Sequence, residues 1–523
     1  MVWMKIRTFI GMAALIAISL SGGIAAAQED NRPELRIAVQ KNPETQEPVD
    51  AASNVAFRNN PSIHETLLKL DLDGHFSVQP NLATSWRWID DKTLEVKLRK
   101  GVIFHDGREM TAEDVAFSFG PERLTDPKAP GYPTYLTSFS SLAHVDVVDP
   151  DTVRFVTKFK DPILLQRLAS YAAVVISKDA WIKMGGDWAK WKQKPVGAGP
   201  YKVLESVAND HVTLVAHDRY FGGKPNAKRV TFKVVPEVSS RIAGLLAGDY
   251  DIATDLPPDQ LDVVNKSGNA TVVGGPVPNN RILFFDKYNP ALKDPRVRQA
   301  LILAIDRQAI VDTIWNGLTV VPNGEQFKEF GPIYMKDRPK YEYNPEKARQ
   351  LLKAAGYKGE PIAIRSQNNY YTAENTVSEA VVAMWQAVGI NAKLEFVEAG
   401  KLFDNANGRA TGNWSSTAVI ADPYVSIYSM AFARTASMGT QKIWINDEFD
   451  ALGAKLEQAV APADRAKIFS DMLDIIEWKD PGITVLHQNA VFFGVSNKVK
   501  WKPQHAFAMD LGPQNLSFVN AAG

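Results

Sequence analysis

Segments in which apolar and polar residues alternate are interleaved with segments of helical spacing along nearly the whole chain, and this interleaving most restricts the folds open to it. Thr93-Leu94-Glu95-Val96-Lys97-Leu98, Thr152-Val153-Arg154-Phe155-Val156, Val212-Thr213-Leu214-Val215 and Arg229-Val230-Thr231-Phe232-Lys233-Val234-Val235 repeat with period two, as half-buried strands do. From Pro295 to Trp315, by contrast, Val297, Leu301, Ala304, Ile305 and Ile310 fall mostly on one helical face behind an initial proline, which predicts a single helix. Asn344-Pro345 opens another helix, which carries Ala348, Leu351 and Leu352 and stops at Gly356, with a capping side chain before it and a glycine just past its end. The pattern predicts an α/β or α+β fold of several lobes, without internal repeats or low-complexity tracts. The Pro/Gly clusters Lys194–Pro200 and Gly274–Pro278 are the expected boundaries, as linkers or long turns.

The first residues predict export. Lys5 and Arg7 precede an apolar run from Phe9 to Leu20, and Ala25-Ala26-Ala27 supply the small residues of a cleavage site, so residues 1–27 read as a secretory signal peptide. That run is shorter than the ~20 residues a membrane-spanning helix needs. The expected product is soluble, is not inserted in a membrane and lies in a bacterial periplasm. The 523 residues include no cysteine, which excludes disulfides, thiolate metal sites and cysteine nucleophiles. With 59 basic and 59 acidic residues, no global field favours nucleic acid or an anionic membrane. At ~150 residues per domain, the mature chain has room for about three.

Motifs for catalysis are incomplete wherever they begin. No Gly-x-Ser-x-Gly elbow occurs, and Gly197-Ala198-Gly199-Pro200 lacks the third glycine of a dinucleotide loop. His64-Glu65 lacks the second histidine of a zinc-protease helix, and His105-Asp106 lacks a spaced partner, so both read as structural. Asp71-Leu72-Asp73-Gly74 starts like a calcium loop, but Phe76 and Leu82 stand where the turn glycine and the bidentate glutamate belong, leaving a β-turn. No cofactor and no metal are expected. A receptor fits better than an enzyme; a secreted glycosidase-like enzyme is the rival of another class.

Several segments in order carry a resemblance. Asn81-Leu82-Ala83-Thr84-Ser85-Trp86, Leu94 through Gly107 and Thr111-Ala112-Glu113-Asp114-Val115-Ala116-Phe117-Ser118 are followed by Pro195-Val196-Gly197-Ala198-Gly199-Pro200-Tyr201. Leu246-Ala247-Gly248-Asp249-Tyr250-Asp251-Ile252, Asp294-Pro295-Arg296-Val297-Arg298-Gln299-Ala300-Leu301 and Tyr343-Asn344-Pro345 through Leu352 complete the series. The chain resembles family 5 solute-binding proteins, the oligopeptide, dipeptide, nickel and opine receptors of ABC importers. The resemblance implies an α/β, two-lobed periplasmic binding protein (type II, cluster C) with an extra subdomain inserted in the first lobe. The implied division is a lobe I core of residues 28–60, 195–276 and 488–523, an inserted subdomain 61–194, and lobe II 277–487. It further implies a monomer that closes on a small-molecule ligand and delivers it to an inner-membrane ABC permease. Gly101 and Gly107 are expected to turn the backbone, Trp86 and Phe104 to lie in the core, and Thr111 to Asp114 to start a helix.

The resemblance also suggests the ligand. Peptide-binding members place, three residues after a tryptophan of lobe II, an aspartate that holds the ligand's amine. Here the matching tryptophan is Trp414 and the third residue is Thr417; counting back from Asp422 gives Val419. The neutral cluster Ser415-Ser416-Thr417 beside Asn413, with the amide and rings of Asn369, Tyr370 and Tyr371, suits a sugar or sugar phosphodiester such as an agrocinopine-type opine. Asn54, Tyr135 with its neighbour Tyr132, and Arg434 as partner for an anionic group complete the expected ligand-binding set. The alternative is a dipeptide or oligopeptide, whose amine would need another acid, Asp422 or Asp404.

Overall fold

The computed structural model describes Met1 and residues 30–50, 53–73, 76–398, 401–404, 408–428 and 443–519. The expected signal segment after Met1, and Arg434, lie outside the described residues.

Each half of the molecule is built round parallel strands. In one, Glu34–Val39 pairs in parallel with Arg229–Val234 and Ile252–Ala253, and His211–Ala216 and Tyr201–Val207 extend the sheet antiparallel. In the other, Ile362–Ser366 pairs in parallel with Ala392–Phe396 and Thr411–Thr417. The halves join through two long antiparallel strands, Ala270–Phe284 and Ile483–Ser496, so that a ten-stranded sheet runs through both. Ala270–Pro276 pairs with Ser496–Ala490 on the first-lobe side, and Asn280–Phe284 pairs with Gln488–Ile483 on the second. Between them the register slips from Pro276/Ala490 to Asn280/Gln488.

That slip is where the expected boundary at Gly274–Pro278 lies, and it is a bulge inside a continuous strand, not a linker or a long turn. Gly274 has φ +111°, and a Cβ there would sit 2.1 Å from the Val491 carbonyl oxygen, so only glycine fits. Pro276 and Pro278 donate no ladder hydrogen bond, which confines them to such an irregularity. The implied divisions at 276/277 and 487/488 fall within these two strands, and the one at 60/61 falls within the helix Asn54–Ile63.

A separate four-stranded antiparallel sheet, in the order Ala83–Asp90, Thr93–Leu98, Thr152–Thr157, Leu142–Asp149, forms the inserted subdomain. Its core holds Leu94, Val96, Phe104 and Phe155, all fully buried, whereas Trp86 is only half-buried. Gly101 and Gly107 adopt φ of +74° and +89°. Asp114 accepts from the Thr111 backbone N–H at 2.9 Å, which caps the helix Ala112–Ser118. Among the described residues no helix is long and apolar enough to cross a membrane.

The expected strands at 93–98, 152–156, 212–215 and 229–235 are all present, and Pro345–Ala355 is a helix between Asn344 and a left-handed Gly356. The stretch from Pro295 to Trp315 is two helices, Pro295–Leu303 and Arg307–Thr313, and not one. The Asp306 side chain accepts from the Ala309 N–H at 2.9 Å, and this cap starts the second helix on a new axis.

Candidate functional site

The helix Asn54–Ile63, hereafter α1, lies along the junction of the lobes. Ser53 caps it, its Oγ accepting from the Ala56 N–H at 3.3 Å. Between α1, the inserted subdomain, the C-terminal loop and the second lobe is a cavity of about 260 Å³. α1 contributes Phe57 and Asn60, the subdomain Leu70, Phe76 and Tyr171, the loop Phe507 and Asp510, and the second-lobe side Val277, Thr417 and Val419. Ala169, Val174, Pro278, Ala418, Ala506 and Ala508 fill out a wall that is mostly apolar. Its charged groups are few. Glu65, 7% exposed, accepts from the Tyr220 hydroxyl at 2.6 Å and from Asn81 Nδ2 at 2.8 Å, and burial pushes its carboxyl above the usual range. Lys69 and Asp510 pair at 3.8 Å, and burial depresses the His64 imidazole, whose Nε2 faces the Gln46 carbonyl at 2.9 Å.

A second, smaller cavity of about 20 Å³ adjoins the first at Phe507. Gln40, Asn54, Arg58 and Asp255 face it from the first lobe, and Tyr370 and Tyr371 from the second. It holds one water at most, since a water needs about 10–15 Å³. The lobes touch here: Gln40 Nε2 donates to the Tyr370 carbonyl, and the Lys41 ammonium lies 6.0 Å from the Tyr370 ring centre. Arg58 and Asp255 form a buried pair at 2.7 Å. Gln40 Oε1 and Asn54 Nδ2 are enclosed without a hydrogen-bond partner.

Three of the expected ligand-binding residues, Asn54, Tyr370 and Tyr371, therefore meet across the lobes, although they are more than three hundred positions apart in sequence. Thr417 borders the larger cavity. The remaining expected residues are placed differently. Ser415-Ser416-Thr417 ends the strand Thr411–Thr417, which pairs with Ala270–Phe284, and its hydroxyls are spent within the lobe. Ser415 Oγ donates to Tyr371 Oη at 2.8 Å, Ser416 Oγ donates to Glu325, and Thr417 Oγ1 accepts from Asn279 Nδ2 at 2.6 Å. Asn413 Nδ2 donates to Ser366 and Ser378, away from both cavities. Trp414 packs on Phe403 with ring centres 6.4 Å apart. Asn369 is exposed at φ +51° and borders neither cavity. Tyr135 belongs to the subdomain core: its hydroxyl donates to the Leu142 carbonyl at 2.9 Å and accepts from Lys158 at 2.6 Å. Tyr132 stacks on it, and neither ring reaches a cavity wall.

The acids considered for a ligand amine are also occupied. Asp422, buried, is gripped by Arg465 through Nε at 3.1 Å and Nη2 at 2.5 Å. Asp404 lies 3.1 Å from Lys401 Nζ. No local pattern in the sequence marks Phe57, Asn60, Tyr171 and Phe507 for the cavity wall, and Glu65, half of the incomplete motif His64-Glu65, stands there as well.

Comparison with known proteins fits this geometry. The profile described as bacterial extracellular solute-binding proteins, family 5 Middle, matches residues 77–437. The oligopeptide-binding protein AppA of Bacillus subtilis is 29% identical over 420 residues, covering 75% of this chain and 74% of its own. A dipeptide-binding protein from Pseudoalteromonas sp. SM9913, solved in complex with Met-Leu, superposes with a TM-score of 0.83 at 21% identity, covering 93% of this chain and 100% of that one. AgaA in complex with agropinic acid, from A. tumefaciens R10, superposes with a TM-score of 0.80 at 22% identity, covering 93% and 99%. At such identities the two structures speak to the fold, a type II two-lobed binding protein. With the profile match spanning well over half its length, the chain belongs to the bacterial extracellular solute-binding proteins of family 5.

Proposed function

We propose that the protein is the receptor of an ABC importer for a small peptide or peptide-like solute, taken up between its lobes outside the cytoplasm and handed to the permease. Proteins of this family are transport receptors and not enzymes. The observation that carries the ligand class is the wall of the 260 Å³ cavity, where Phe57, Leu70, Phe76, Val277, Val419 and Phe507 face one another. Such a wall stabilises an apolar side chain by about 25 cal/mol per Å² removed from water. A sugar hydroxyl placed there would lose water without gaining a partner, at a cost of about 1–3 kcal/mol each. The volume lies near the low end of the ~300–1,000 Å³ of ligand sites, which suits a short peptide or one anchoring side chain. The kinship with an oligopeptide-binding relative points the same way.

The sugar-phosphodiester reading is supported less. Among the described residues Lys69 is the one Lys or Arg on this wall, and it is paired with Asp510, so a phosphate would meet Glu65 and Asp510 without a free cation. Thr417, Gln504 and Gln514 offer polar groups that keep the reading testable. Titration calorimetry of the purified protein against di- and tripeptides with apolar side chains, and against a sugar phosphodiester, decides between them. Micromolar or tighter peptide binding is expected; tight binding of the phosphodiester with none of the peptides would reverse the choice.

A further inference from the structure

We infer that Glu65 is the counter-ion for a protonated amine of the ligand, replacing the acid that peptide binders are expected to carry where this chain has Thr417. The inference rests on the peptide reading above and deepens it. Thr417 is committed to Asn279, and the nearby acid of the second lobe, Asp422, is committed to Arg465. The first-lobe side of the same cavity offers Glu65. Its carboxylate is held by two neutral donors, the Tyr220 hydroxyl on Oε1 and the Asn81 amide on Oε2, which fix its position without cancelling its charge. A carboxylate has about four lone-pair sites, so each oxygen keeps room for another donor.

No cation within 4 Å pairs with Glu65 among the described residues: Lys69, the nearest positive charge, is shared between Glu65 and Asp510, and burial depresses the His64 imidazole. Tyr171 and Tyr220, the other titratable side chains on this wall, have their phenols pushed up by burial, that of Tyr171 to about 12, and stay uncharged. The wall thus carries Glu65, Asp510 and Lys69 as its charges, an excess of one negative. A buried carboxylate whose charge is offset only by a shared, half-exposed lysine is costly, and a ligand ammonium beside it would convert that cost into a charge-assisted hydrogen bond. Asn60, 7% exposed on the same wall, has its Nδ2 without a partner among the described residues and is a further donor for the ligand.

The test compares Leu-Leu with N-acetyl-Leu-Leu by calorimetry on the full chain, in the wild type and in Glu65→Gln, which keeps the size of the side chain and an acceptor for Tyr220. The wild type is expected to prefer the free amine by ten- to a hundredfold, and the variant is expected to bind both within about threefold. For the free-amine peptide, wild-type affinity should also fall as pH drops through the raised Glu65 pKa, and that dependence should vanish in the variant. If acetylation leaves wild-type affinity unchanged, Glu65 is not the amine site although the peptide reading stands. Should Glu65→Gln fold and keep the full preference, the assignment is equally overturned. Absence of any peptide binding by the wild type removes the peptide reading and this inference together. The wild-type comparison needs no variant, so a misfolded Glu65→Gln does not leave the inference unexamined.

Discussion

The two walls of the cleft differ in a way that composition hides. The second-lobe side reads as the polar one, with Asn413, Ser415, Ser416 and Thr417 on one strand and Tyr370-Tyr371 nearby, yet of the four only Thr417 borders a cavity, and the hydroxyls are consumed by Tyr371, Glu325 and Asn279. The first-lobe wall reads as an ordinary helix and loop, yet among the described residues Gln40 Oε1, Asn54 Nδ2 and Asn60 Nδ2 have no partner, and Glu65 has only Lys69, shared with Asp510, to offset its charge. Polar groups buried without partners are uncommon because each costs about 1–3 kcal/mol. The second lobe also holds an unpartnered atom, Asn413 Oδ1, but Asn413 borders neither cavity, whereas Gln40, Asn54 and Asn60 do, so the first-lobe wall is the one prepared for a ligand. Unpartnered groups at the cavity walls, and not the number of polar residues, separate the two.

The largest effect that can break this comparison concerns the charge of the second lobe. If Asp422 serves the fold, Asp422→Ala leaves Arg465 buried and unpaired and costs about 3–5 kcal/mol in denaturant unfolding. Whatever remains folded should keep the wild-type preference between free-amine and acetylated peptide. Loss of that preference with little loss of stability would make Asp422 the amine site and return the charge to the second lobe.

Glu325 gives a second, smaller effect with a sign. It is fully buried behind Ser416, and burial pushes its carboxyl up to about 8. The folded state therefore holds a proton that the unfolded state, with a carboxyl near 4.5, releases. Its stabilising contribution is complete below about pH 4.5 and is lost as pH rises through 8. Across that window wild-type stability should fall relative to Glu325→Gln by on the order of 3 kcal/mol, read from urea midpoints at pH 5 and pH 8. Parallel pH profiles of the two proteins would mean that Glu325 carries no excess proton.

Local rules made much of the fold legible and little of the site. Thr93–Leu98 and Pro345–Ala355 stand where alternation and caps put them, because period and capping are decided within a few residues. The helix expected over Pro295 to Trp315 broke at Asp306, whose side chain made a better cap than an interior residue. Gly274–Pro278 carried the composition of a linker, but the partner strand that turns it into a bulge lies some two hundred residues away. The site suffered from the same non-locality. Asn54, Tyr370 and Tyr371 were identified by likeness and do converge, whereas Phe57, Tyr171, Val277 and Phe507 meet only after the chain has folded. Ser415 and Ser416 looked available because their consumers, Tyr371 and Glu325, could not be paired with them by spacing.

The smallest expected effect is also the sharpest on the difference between the walls. Asn60 and Ser416 are both polar and buried, at 7% and 1% exposure, but only Ser416 has a partner, so removing each should do different things. Ser416→Ala takes a donor from the buried Glu325 carboxyl and should cost about 1–3 kcal/mol of stability while leaving peptide affinity within about twofold. Asn60→Leu replaces an amide whose Nδ2 is unpartnered by an apolar group of similar size. Stability should stay within about 0.5 kcal/mol of wild type, or rise, because no hydrogen bond is lost and a desolvation cost disappears. Peptide affinity should weaken about three- to tenfold, the value of one neutral hydrogen bond made only in the complex. The two variants thus move opposite observables. A destabilised Asn60→Leu with unchanged affinity would show that the first-lobe amides are scaffold, and the distinction between a waiting wall and a finished one would fail where it is most exposed.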